Sequence, residues 1–313
     1  MSYSYIKKAK IGEGAYSTIY LAEQYEGENE NKVIENAEGH FKQIVAIKQF
    51  KIMQDVKGID INAIREIKAL KLLRGPHILE MYDIFRYDFS LHIVLEYIPY
   101  TLENILKNNK IIILASDIKA WLIMLLKGIY EIHSKYFIHR DIKPNNILFK
   151  DGILKIADFG LTRKITNDNM TSNVVTRWYR APELLLGCKN YSMAVDIWSI
   201  GCIMAELYLR VPFFAGDSDI SQLDLIFRAL GTPDEIYFKK ITESLPIKFK
   251  KYPRSDLKQL FSAMSDDGMS LLLRMLDFDP AKRPTALEIL KDKFFTNNPL
   301  PKDKDNVLKT IPI

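Results

Sequence analysis

Near residue 100 the spacing of apolar residues changes from the period of β-strands to that of α-helices. Before that point, apolar and polar positions alternate with the two-residue period of β-strands. The predicted strands lie at residues 6–22, where glycines interrupt the alternation, and at residues 44–50, 82–85 and 91–97. One helix is predicted among them at residues 60–73, where Ile61, Ile64, Ile67 and Leu70 share a face.

After residues 98–101, which we take as the connection, the pattern becomes helical, beginning at residues 116–134. A strand-rich part followed by a helical part predicts an α+β fold. Two helix starts have capping signals: Thr232 followed by Pro233, and Thr285 followed three residues later by Glu288.

Residues 25–41 differ from the predicted strands on either side, because they contain five Glu, three Asn and two Gly. Such a composition buries little surface, so we expect a solvent-exposed, mobile loop. An insert that binds a partner is the alternative.

Composition adds few constraints. The 313 residues suffice for two domains, and 44 basic against 39 acidic residues give a net charge of +5. The basic cluster Lys248, Lys250, Lys251 and Arg254 is interpreted as solvated surface rather than a nucleic-acid contact.

Two cysteines, Cys188 and Cys202, are predicted to be buried thiols. Residues 194–211 are apolar but contain charges, which predicts a buried helix rather than a membrane span. With no signal peptide at the N-terminus, we expect a soluble, intracellular protein that contacts no membrane.

The chemistry concentrates in residues 138–160, I-H-R-D-I-K-P-N-N-I-L-F-K-D-G-I-L-K-I-A-D-F-G. Phosphoryl transfer needs positioning and charge neutralisation more than covalent chemistry. Asp141 is the candidate to orient a substrate hydroxyl and accept its proton, and Lys143 to neutralise the moving γ-phosphate. Asn146 and Asp158 supply the oxygen ligands that Mg²⁺ prefers. His139 is interpreted as a packed structural histidine.

A second candidate group lies in the strand-rich part. Residues 12–17, Gly12-Glu13-Gly14-Ala15-Tyr16-Ser17, allow close backbone approach to phosphates, although the same residues also fit a plain hairpin turn. Lys48 ends the run Val45-Ala46-Ile47-Lys48 and needs an anionic partner if buried. Glu66 in the predicted helix is the candidate; a surface lysine and a surface glutamate are the alternative.

Thr171 lies in a polar segment between Asp158-Phe159-Gly160 and Ala181-Pro182-Glu183. Three arginines, Arg65, Arg140 and Arg163, would converge sensibly on a phosphate carried by Thr171. Ordinary surface salt bridges are the alternative for these arginines.

Over nearly its full length the chain resembles the eukaryotic protein kinases, whose H-R-D…N and D-F-G motifs it contains. More narrowly it is similar to the cyclin-dependent kinases, and within them to the CDK-activating kinases associated with TFIIH. N-A-I-R-E-I at residues 62–67, T-S-N-V-V-T-R-W-Y-R-A-P-E-L-L-L-G at 171–187, L-R-V-P-F-F-A-G-D-S-D at 209–219 and L-G-T-P at 230–233 carry this resemblance.

The resemblance implies a bilobal kinase fold. The N-lobe would span residues 1–97, with the 25–41 insert, and the C-lobe residues 98–295, with an activation segment at 158–183; a short tail would follow at 296–313. ATP would bind between the lobes. The nucleotide-binding residues implied are Ile11, Gly12, Glu13, Gly14, Ala15, Tyr16, Ser17, Ile19, Ala46, Lys48, Leu95 as gatekeeper, Glu96 and Ile98 as hinge, and Leu148.

The resemblance also implies a structural ion pair between Glu183 and Arg283, and Asp196 bracing the catalytic loop. Val174 and Val175 would shape a site for Ser/Thr-Pro substrates. A cyclin would hold the helix of Glu66, and an assembly factor and TFIIH would be further partners. The expected substrates are the heptad repeats of the RNA polymerase II tail and other kinases of the family, in the nucleus and also the cytoplasm, with no direct contact to nucleic acid.

Four features depart from the family pattern, and one of them is that the predicted activation segment offers Thr171 but no second Ser-Pro phosphosite. Ser17 stands where a third glycine is usual, Thr101 where many relatives have an aspartate, and the 25–41 insert lengthens a normally tight hairpin. A cell-cycle kinase of the same family is the closest alternative function. A non-catalytic nucleotide-binding scaffold is the alternative from another class, but Lys48, Glu66, Asp141, Asn146 and Asp158 are all present.

Overall fold

The structure is a computed structural model, and it describes residues 3–14, 16–27, 32–34, 39–51, 61–165, 177–241 and 249–303. The chain divides into two compact units, Met1–Pro99 and Tyr100–Ile313. The first is built on a sheet and the second mainly on helices, which is the α+β composition that the apolar pattern predicts.

The first unit contains an antiparallel sheet in the order β1-β2-β3-β5-β4. Its strands are β1 (Tyr3–Glu13), β2 (Ser17–Glu26), β3 (His40–Phe50), β4 (Met81–Tyr87) and β5 (Ser90–Glu96), and its helix α1 covers Ile61–Leu72. Side chains alternate between the two faces of a strand. In β3, Ala46 and Lys48 therefore lie on one face, while Val45 and Ile47 lie on the other.

The face that carries Val45 and Ile47 has a core of its own, which we call the outer-face core. It consists of the buried side chains of Tyr5, Ala22, Val45, Ile47, Phe85 and Val94. Val33, from the 25–41 insert, packs against it.

The expectation of a wholly exposed 25–41 loop is therefore wrong for part of it. Strand β2 continues to Glu26 and β3 begins at His40, and these two residues are paired. Gly39, directly before β3, has a φ of 110°, and a Cβ atom there would lie 2.3 Å from the carbonyl oxygen of Glu26. Residues 32–34 contact β1. Composition missed this contact because it is non-local.

The helices of the second unit are α2 (Leu102–Lys107), α3 (Ala115–Ser134), α4 (Pro182–Leu185), α5 (Ala194–Leu209), α6 (Asp219–Leu230), α7 (Glu235–Ile241), α8 (Asp266–Met275) and α9 (Ala286–Leu290). Its strands are β6 (Tyr100–Thr101), β7 (Phe137–Ile138), β8 (Ile147–Lys150), β9 (Ile153–Ile156) and β10 (Arg163–Lys164). The predicted buried helix at 194–211 is confirmed as α5, which is enclosed along most of its length. No helix in the described part of the chain has the length and apolarity of a membrane span.

Two local predictions have different outcomes. The capping box of Thr285 and Glu288 is confirmed at the start of α9. Thr232 does not cap a helix: α7 begins at Glu235, and the Oδ1 atom of Asp234 accepts a hydrogen bond from the amide of Tyr237 at 2.9 Å. The Thr232 hydroxyl instead donates to the carbonyl oxygen of Lys250 at 2.8 Å and accepts from the amide of Tyr252 at 2.9 Å.

Of the two cysteines, Cys202 is buried but Cys188 is only half-buried, so the prediction for Cys188 is wrong. Cys188 lies after α4, and its thiol donates to the nearby carbonyl oxygen of Asn190 at 3.2 Å.

Candidate active site

Lys48 and Glu66 form the ion pair that the sequence suggests. Lys48 lies in β3 and Glu66 on the buried face of α1, and the Nζ atom of Lys48 is 2.7 Å from each carboxylate oxygen of Glu66. Both side chains are almost completely buried. A buried ammonium is costly unless it is paired, so this contact holds α1 against the sheet at a defined rotation.

The two glycines lie where β1 meets the turn to β2: Gly12 is in the last residues of β1, and Gly14 follows the strand. The amide of Gly14 donates to the carbonyl oxygen of Ser17 at 2.8 Å, and Gly12 pairs with Ile19. Glu13 is exposed and lies between Lys10 and Lys51, whose hydrogen bonds lower the pKa of its carboxyl to about 2. Lys51 also donates to the carbonyl oxygen of Gly14 at 3.0 Å. Tyr16 is exposed, Ser17 begins β2, and Ala15 lies outside the described residues.

The remaining candidates for nucleotide contact are divided between the units. In the first unit the side chains of Ala46, Leu95 and Ile98 are buried, that of Ile19 is half-buried and that of Ile11 is exposed. The amide of Glu96 donates to the carbonyl oxygen of Glu80 at 2.9 Å. Ala46 and Leu95 are paired across β3 and β5 and so lie on the face that carries Lys48.

In the second unit Leu148 lies in β8, paired with Lys155 of β9 and with Thr101 of β6. Thr101, which stands where many relatives have an aspartate, caps α2, because its hydroxyl oxygen accepts a hydrogen bond from the amide of Asn104 at 3.2 Å.

The loop of residues 139–146 is fixed by Asp196, from the buried helix α5. One carboxylate oxygen accepts a hydrogen bond from the amide of His139 and the other from the amide of Arg140, both at 2.9 Å. The predicted role of Asp196 as a brace is thus confirmed. Burial acts to raise the pKa of Asp196, but the hydrogen bond from His133 and the nearby imidazoles outweigh it and lower that pKa.

His139 is a fully buried structural residue, as predicted. Its Nε2 atom donates to the carbonyl oxygen of Ala157 at 3.0 Å, and its Nδ1 atom accepts from the amide of Asp141 at 3.3 Å. Its ring meets that of Phe159 edge-on, with the centroids 5.1 Å apart. His139 therefore joins the loop of Asp141 to the segment that leads to Asp158.

Asp141 is held by two neighbours. Its Oδ2 atom accepts from the Nζ atom of Lys143 at 2.7 Å and from the Nδ2 atom of Asn146 at 2.8 Å. Asn146 Nδ2 also donates to the backbone carbonyl oxygen of Asp141 at 2.9 Å. Since the amide nitrogen of Asn146 is committed to Asp141, its oxygen is the atom offered to a cation.

Asp158 follows strand β9, next to the residue that pairs with Asn146. The amide of Ala157 donates to the carbonyl oxygen of Asn146 at 2.8 Å, so the two candidate metal ligands belong to adjacent stretches of backbone. Asp158 has φ of 60° in the left-handed region, which costs a non-glycine residue energy and is common where a side chain must point in a functional direction. An amide oxygen and a carboxylate form a donor set suited to Mg²⁺.

Each of the three arginines predicted to bind a phosphate makes a contact within its own unit. Arg140 donates through Nε to the carbonyl oxygen of Leu161 at 2.6 Å and through Nη1 to the hydroxyl of Tyr191 at 2.8 Å. Arg163 lies in β10, paired with Ile138, and Arg65 on α1 donates to Asn62 at 3.1 Å. Thr171, Val174 and Val175 lie outside the described residues, so the predicted convergence on Thr171 stays a prediction.

Sequence reasoning missed two residues that support the loop of residues 139–146. His133, at the end of α3, donates to Asp196 at 2.9 Å, and Tyr191 accepts from Arg140. Neither has a local signal, because each acts through a residue more than 50 positions away. The only sequence signal for His133 is its position near the end of an apolar helix.

The sequence profile of the protein kinase domain matches residues 5–295. The chain is a protein kinase. One similar protein is the "Probable serine/threonine-protein kinase KIN28 homolog" of Encephalitozoon cuniculi, 47% identical, covering 95% of this chain and 97% of that protein. Cyclin-dependent kinase 7 of Xenopus laevis is 39% identical, covering 95% and 82% of the two chains.

A solved structure agrees with these relatives. "Structure of the CAK complex form Chaetomium thermophilum bound to ATP-gamma-S" matches with a TM-score of 0.86 and 38% identity, over 98% of this chain and 96% of that one. The predicted kinase fold is confirmed, and the chain is a serine/threonine protein kinase of the KIN28 and cyclin-dependent kinase 7 type. Enzymes with this fold bind ATP, so ATP binding follows from the family.

Proposed function

We propose that this kinase transfers the γ-phosphoryl group of ATP to a Ser or Thr hydroxyl followed by proline, with Asp141 as the residue that orients the hydroxyl and accepts its proton. The arrangement of Asp141 carries the proposal. Lys143 and Asn146 both donate to Oδ2, which fixes the carboxylate and makes Oδ1 the oxygen that faces the substrate. Positioning of this kind, rather than covalent chemistry, is what phosphoryl transfer demands.

Asn146 and Asp158 would hold Mg²⁺. The Nδ2 hydrogen bonds of Asn146 orient its side chain so that Oδ1 is available as a ligand, and Asp158 supplies a carboxylate. The ion would neutralise charge on the transferred phosphate when bound. Lys143 donates to Asp141 in this structure, and in the reaction it would turn to the γ-phosphate and stabilise the charge that develops there.

The nucleotide side of the site would be formed by the first unit. Lys48, oriented by Glu66, would bind the phosphates, and the turn of residues 12–17 would cover them with backbone N–H groups. Ala46, Leu95, Ile11 and Ile19 would contact the base, and the backbone of Glu96 and Ile98 would hydrogen-bond to it.

A cyclin is the partner we propose for α1. This helix buries Ala63, Glu66, Ala69 and Leu70 on its own unit but leaves Ile61 and Leu72 more than half exposed. A bound cyclin would cover such apolar side chains and hold Glu66 against Lys48. The similarity to a CAK complex supports this partner. By the same similarity we propose TFIIH and an assembly factor as further partners, and a nuclear location that extends to the cytoplasm.

The proposed substrates are the Ser-Pro heptad repeats of the RNA polymerase II tail and other cyclin-dependent kinases. The similarity to KIN28 and cyclin-dependent kinase 7 favours this choice over a cell-cycle kinase. Phosphorylated Thr171, bound by Arg65, Arg140 and Arg163, would order the activation segment.

Peptide phosphorylation by the purified chain tests this proposal. The chain is incubated with ATP-Mg²⁺ and a Ser-Pro heptad peptide, alone and with a cyclin of the transcriptional or the cell-cycle type. We expect strong incorporation only with the transcriptional cyclin, and little into a matched Ser-Ala peptide. Equal use of both peptides would reject the Ser-Pro assignment, and activation by the cell-cycle cyclin alone would favour the alternative kinase.

A further inference from the structure

Three residues of the 25–41 insert, Lys32, Val33 and Ile34, lie against strand β1, and we call them the clasp. The amide of Tyr5 donates to the carbonyl oxygen of Lys32 at 2.8 Å, and the amide of Ile34 donates to the carbonyl oxygen of Tyr5 at 3.1 Å. This is parallel strand pairing, with Tyr5 opposite Val33. The clasp therefore satisfies the amide and carbonyl groups of Tyr5 on the edge of β1 that faces away from β2.

The clasp also reaches the opposite edge of the sheet. The Nζ atom of Lys32 lies 3.2 Å from Asp83 Oδ2, on strand β4, and Val33 packs on the outer-face core. Strands β1 and β4 are the first and last in the sheet order. One short segment thus binds β1 through its backbone and β4 through a charged side chain.

Tyr5 is the residue around which these contacts meet. Its ring stacks on Phe85 of β4 with the centroids 5.4 Å apart, and its hydroxyl donates to Asp83 at 3.1 Å. Burial and the neighbouring carboxylate of Asp83 raise the pKa of this hydroxyl well above its usual value. Asp83 accordingly accepts hydrogen bonds from both Tyr5 and Lys32. These bonds link β1 and the clasp to β4 on the outer face of the sheet.

Strand β1 has two halves of different character. Residues 4–6 are buried, whereas most of residues 8–14 are exposed up to the glycine turn. The pairing with β2 is irregular between Lys7 and Ala9 and again between Lys10 and Gly12. Such an irregularity disrupts the ladder and bends the strand locally, so these are the positions at which the hairpin would bend with its base held.

We propose that the clasp is a strap that fixes the base of the β1–β2 hairpin and thereby sets how firmly the glycine turn holds a nucleoside triphosphate. This inference rests on the proposed role of residues 12–17 in binding the phosphates of ATP. With its base held by the strap, the hairpin bends only at the irregularities near Lys8. Fewer residues of the hairpin then have to be ordered when the nucleotide binds. A lower ordering cost appears as tighter binding.

Hydrogen exchange of the full-length chain tests the strap itself. The double variant Lys32→Ala/Val33→Ala removes the ion pair and the packing. Lys258→Ala is the control, because it also removes a lysine from an ion pair, with Asp266 at 3.0 Å, but in the second unit. We expect the amide of Tyr5 to exchange about tenfold faster or more in the double variant, since each lost contact is worth a factor of about five. Unchanged protection of Tyr5 would overturn the proposal. Tyr5→Phe, which removes the hydrogen bond to Asp83 and the longer one from Gln24, gives the same readout if the double variant folds poorly.

Calorimetric titration with ATP-Mg²⁺ tests the consequence. The Kd should rise about fivefold in the double variant and stay at the wild-type value in Lys258→Ala. Lost protection at Tyr5 with an unchanged Kd would show a strap that does not govern the turn, and would overturn the inference. A wild-type chain that binds no ATP would refute the proposed function instead, and the exchange result would still decide whether the strap exists.

Discussion

Arg283 and Glu183 form a two-pronged ion pair inside the second unit, with the guanidinium nitrogens 2.6 and 2.8 Å from the two carboxylate oxygens. Both side chains are completely buried, at 0% and 1% exposure. Arg283 also donates to the carbonyl oxygens of Asp277 and Ala194, and its guanidinium lies 5.0 Å from the ring centre of Trp198. The predicted pair is confirmed, and through Arg283 it links Glu183, at the start of α4, to the first residue of α5.

Removing Glu183 should be severe, because it leaves the Arg283 charge buried without its partner. We expect Glu183→Ala to lower the free energy of unfolding by about 3–5 kcal/mol, measured by urea denaturation. Lys258→Ala is the control, since Lys258 and Asp266 form a highly exposed pair whose loss should barely change the stability. Equal destabilisation by the two variants would contradict this view of the pair.

How far the sequence predicts this structure depends on whether the deciding contact is local. The capping box of Thr285 and the helix α1 are both predicted from local patterns, and both appear. The predicted face of α1 is wrong in part, because the helix buries Ala63, Glu66 and Ala69 beside Leu70 while Ile61 is exposed. Thr232 has a good local capping signal, yet its hydroxyl is taken by Lys250 and Tyr252, some 20 residues away.

The same limit applies to the candidate site. Motif spacing and family resemblance identify Asp141, Asn146 and the Lys48–Glu66 pair, whereas His133 and the clasp are visible only once distant segments meet. Side chains that act through a fold-dependent neighbour leave no periodic or compositional signal, so the sequence alone could not supply them.

His92 should make the first unit sensitive to mild acid. The ring stacks on Phe85, and its Nε2 atom accepts a hydrogen bond from Lys7, 3.3 Å away. Burial, with a further contribution from the charge of Lys7, lowers the pKa of His92 from 6.5 to about 4, although Asp88 opposes the shift.

Because the unfolded chain takes up a proton at His92 before the folded chain does, stability is complete above pH 6.5 and is lost as pH falls towards 4. The loss attributable to His92 should reach about 3 kcal/mol, measured as unfolding free energy at several pH values. His92→Gln should flatten this dependence, and His40→Gln, at an exposed histidine, should leave it unchanged. A wild-type profile that matches His92→Gln would refute the assignment.

Two adjacent asparagines allow a sharp test of the magnesium site. Asn146 is buried and orients Asp141, whereas the side chain of Asn145 is exposed and donates to Glu103 at 2.7 Å. Asn146→Ala should raise the Mg²⁺ concentration for half-maximal activity by about tenfold or more, the scale of losing a group at a metal site. Asn145→Ala should leave it within about twofold of wild type. Identical Mg²⁺ titrations of the two variants would exclude Asn146 as a ligand.

Thr171 provides a test of the arginine cluster. Thr171→Ala should reduce kinase activity or the retention of cyclin during gel filtration, and the deficit should grow with salt as the remaining contacts are screened. Thr166→Ala, in the same segment, is the matched control. Unchanged turnover and complex stability in Thr171→Ala across the salt series would remove any role for a phosphate at this position.

The most direct measurement is the rate of phosphate transfer by the cyclin-bound kinase with Asp141→Asn, at saturating ATP-Mg²⁺ and Ser-Pro heptad peptide. The substitution keeps the hydrogen-bonding shape of the side chain but removes the base, so kcat should fall by about 10²–10⁴-fold while calorimetry finds the same affinity for ATP. Equal incorporation by wild type and Asp141→Asn would contradict the assignment of Asp141 as the base.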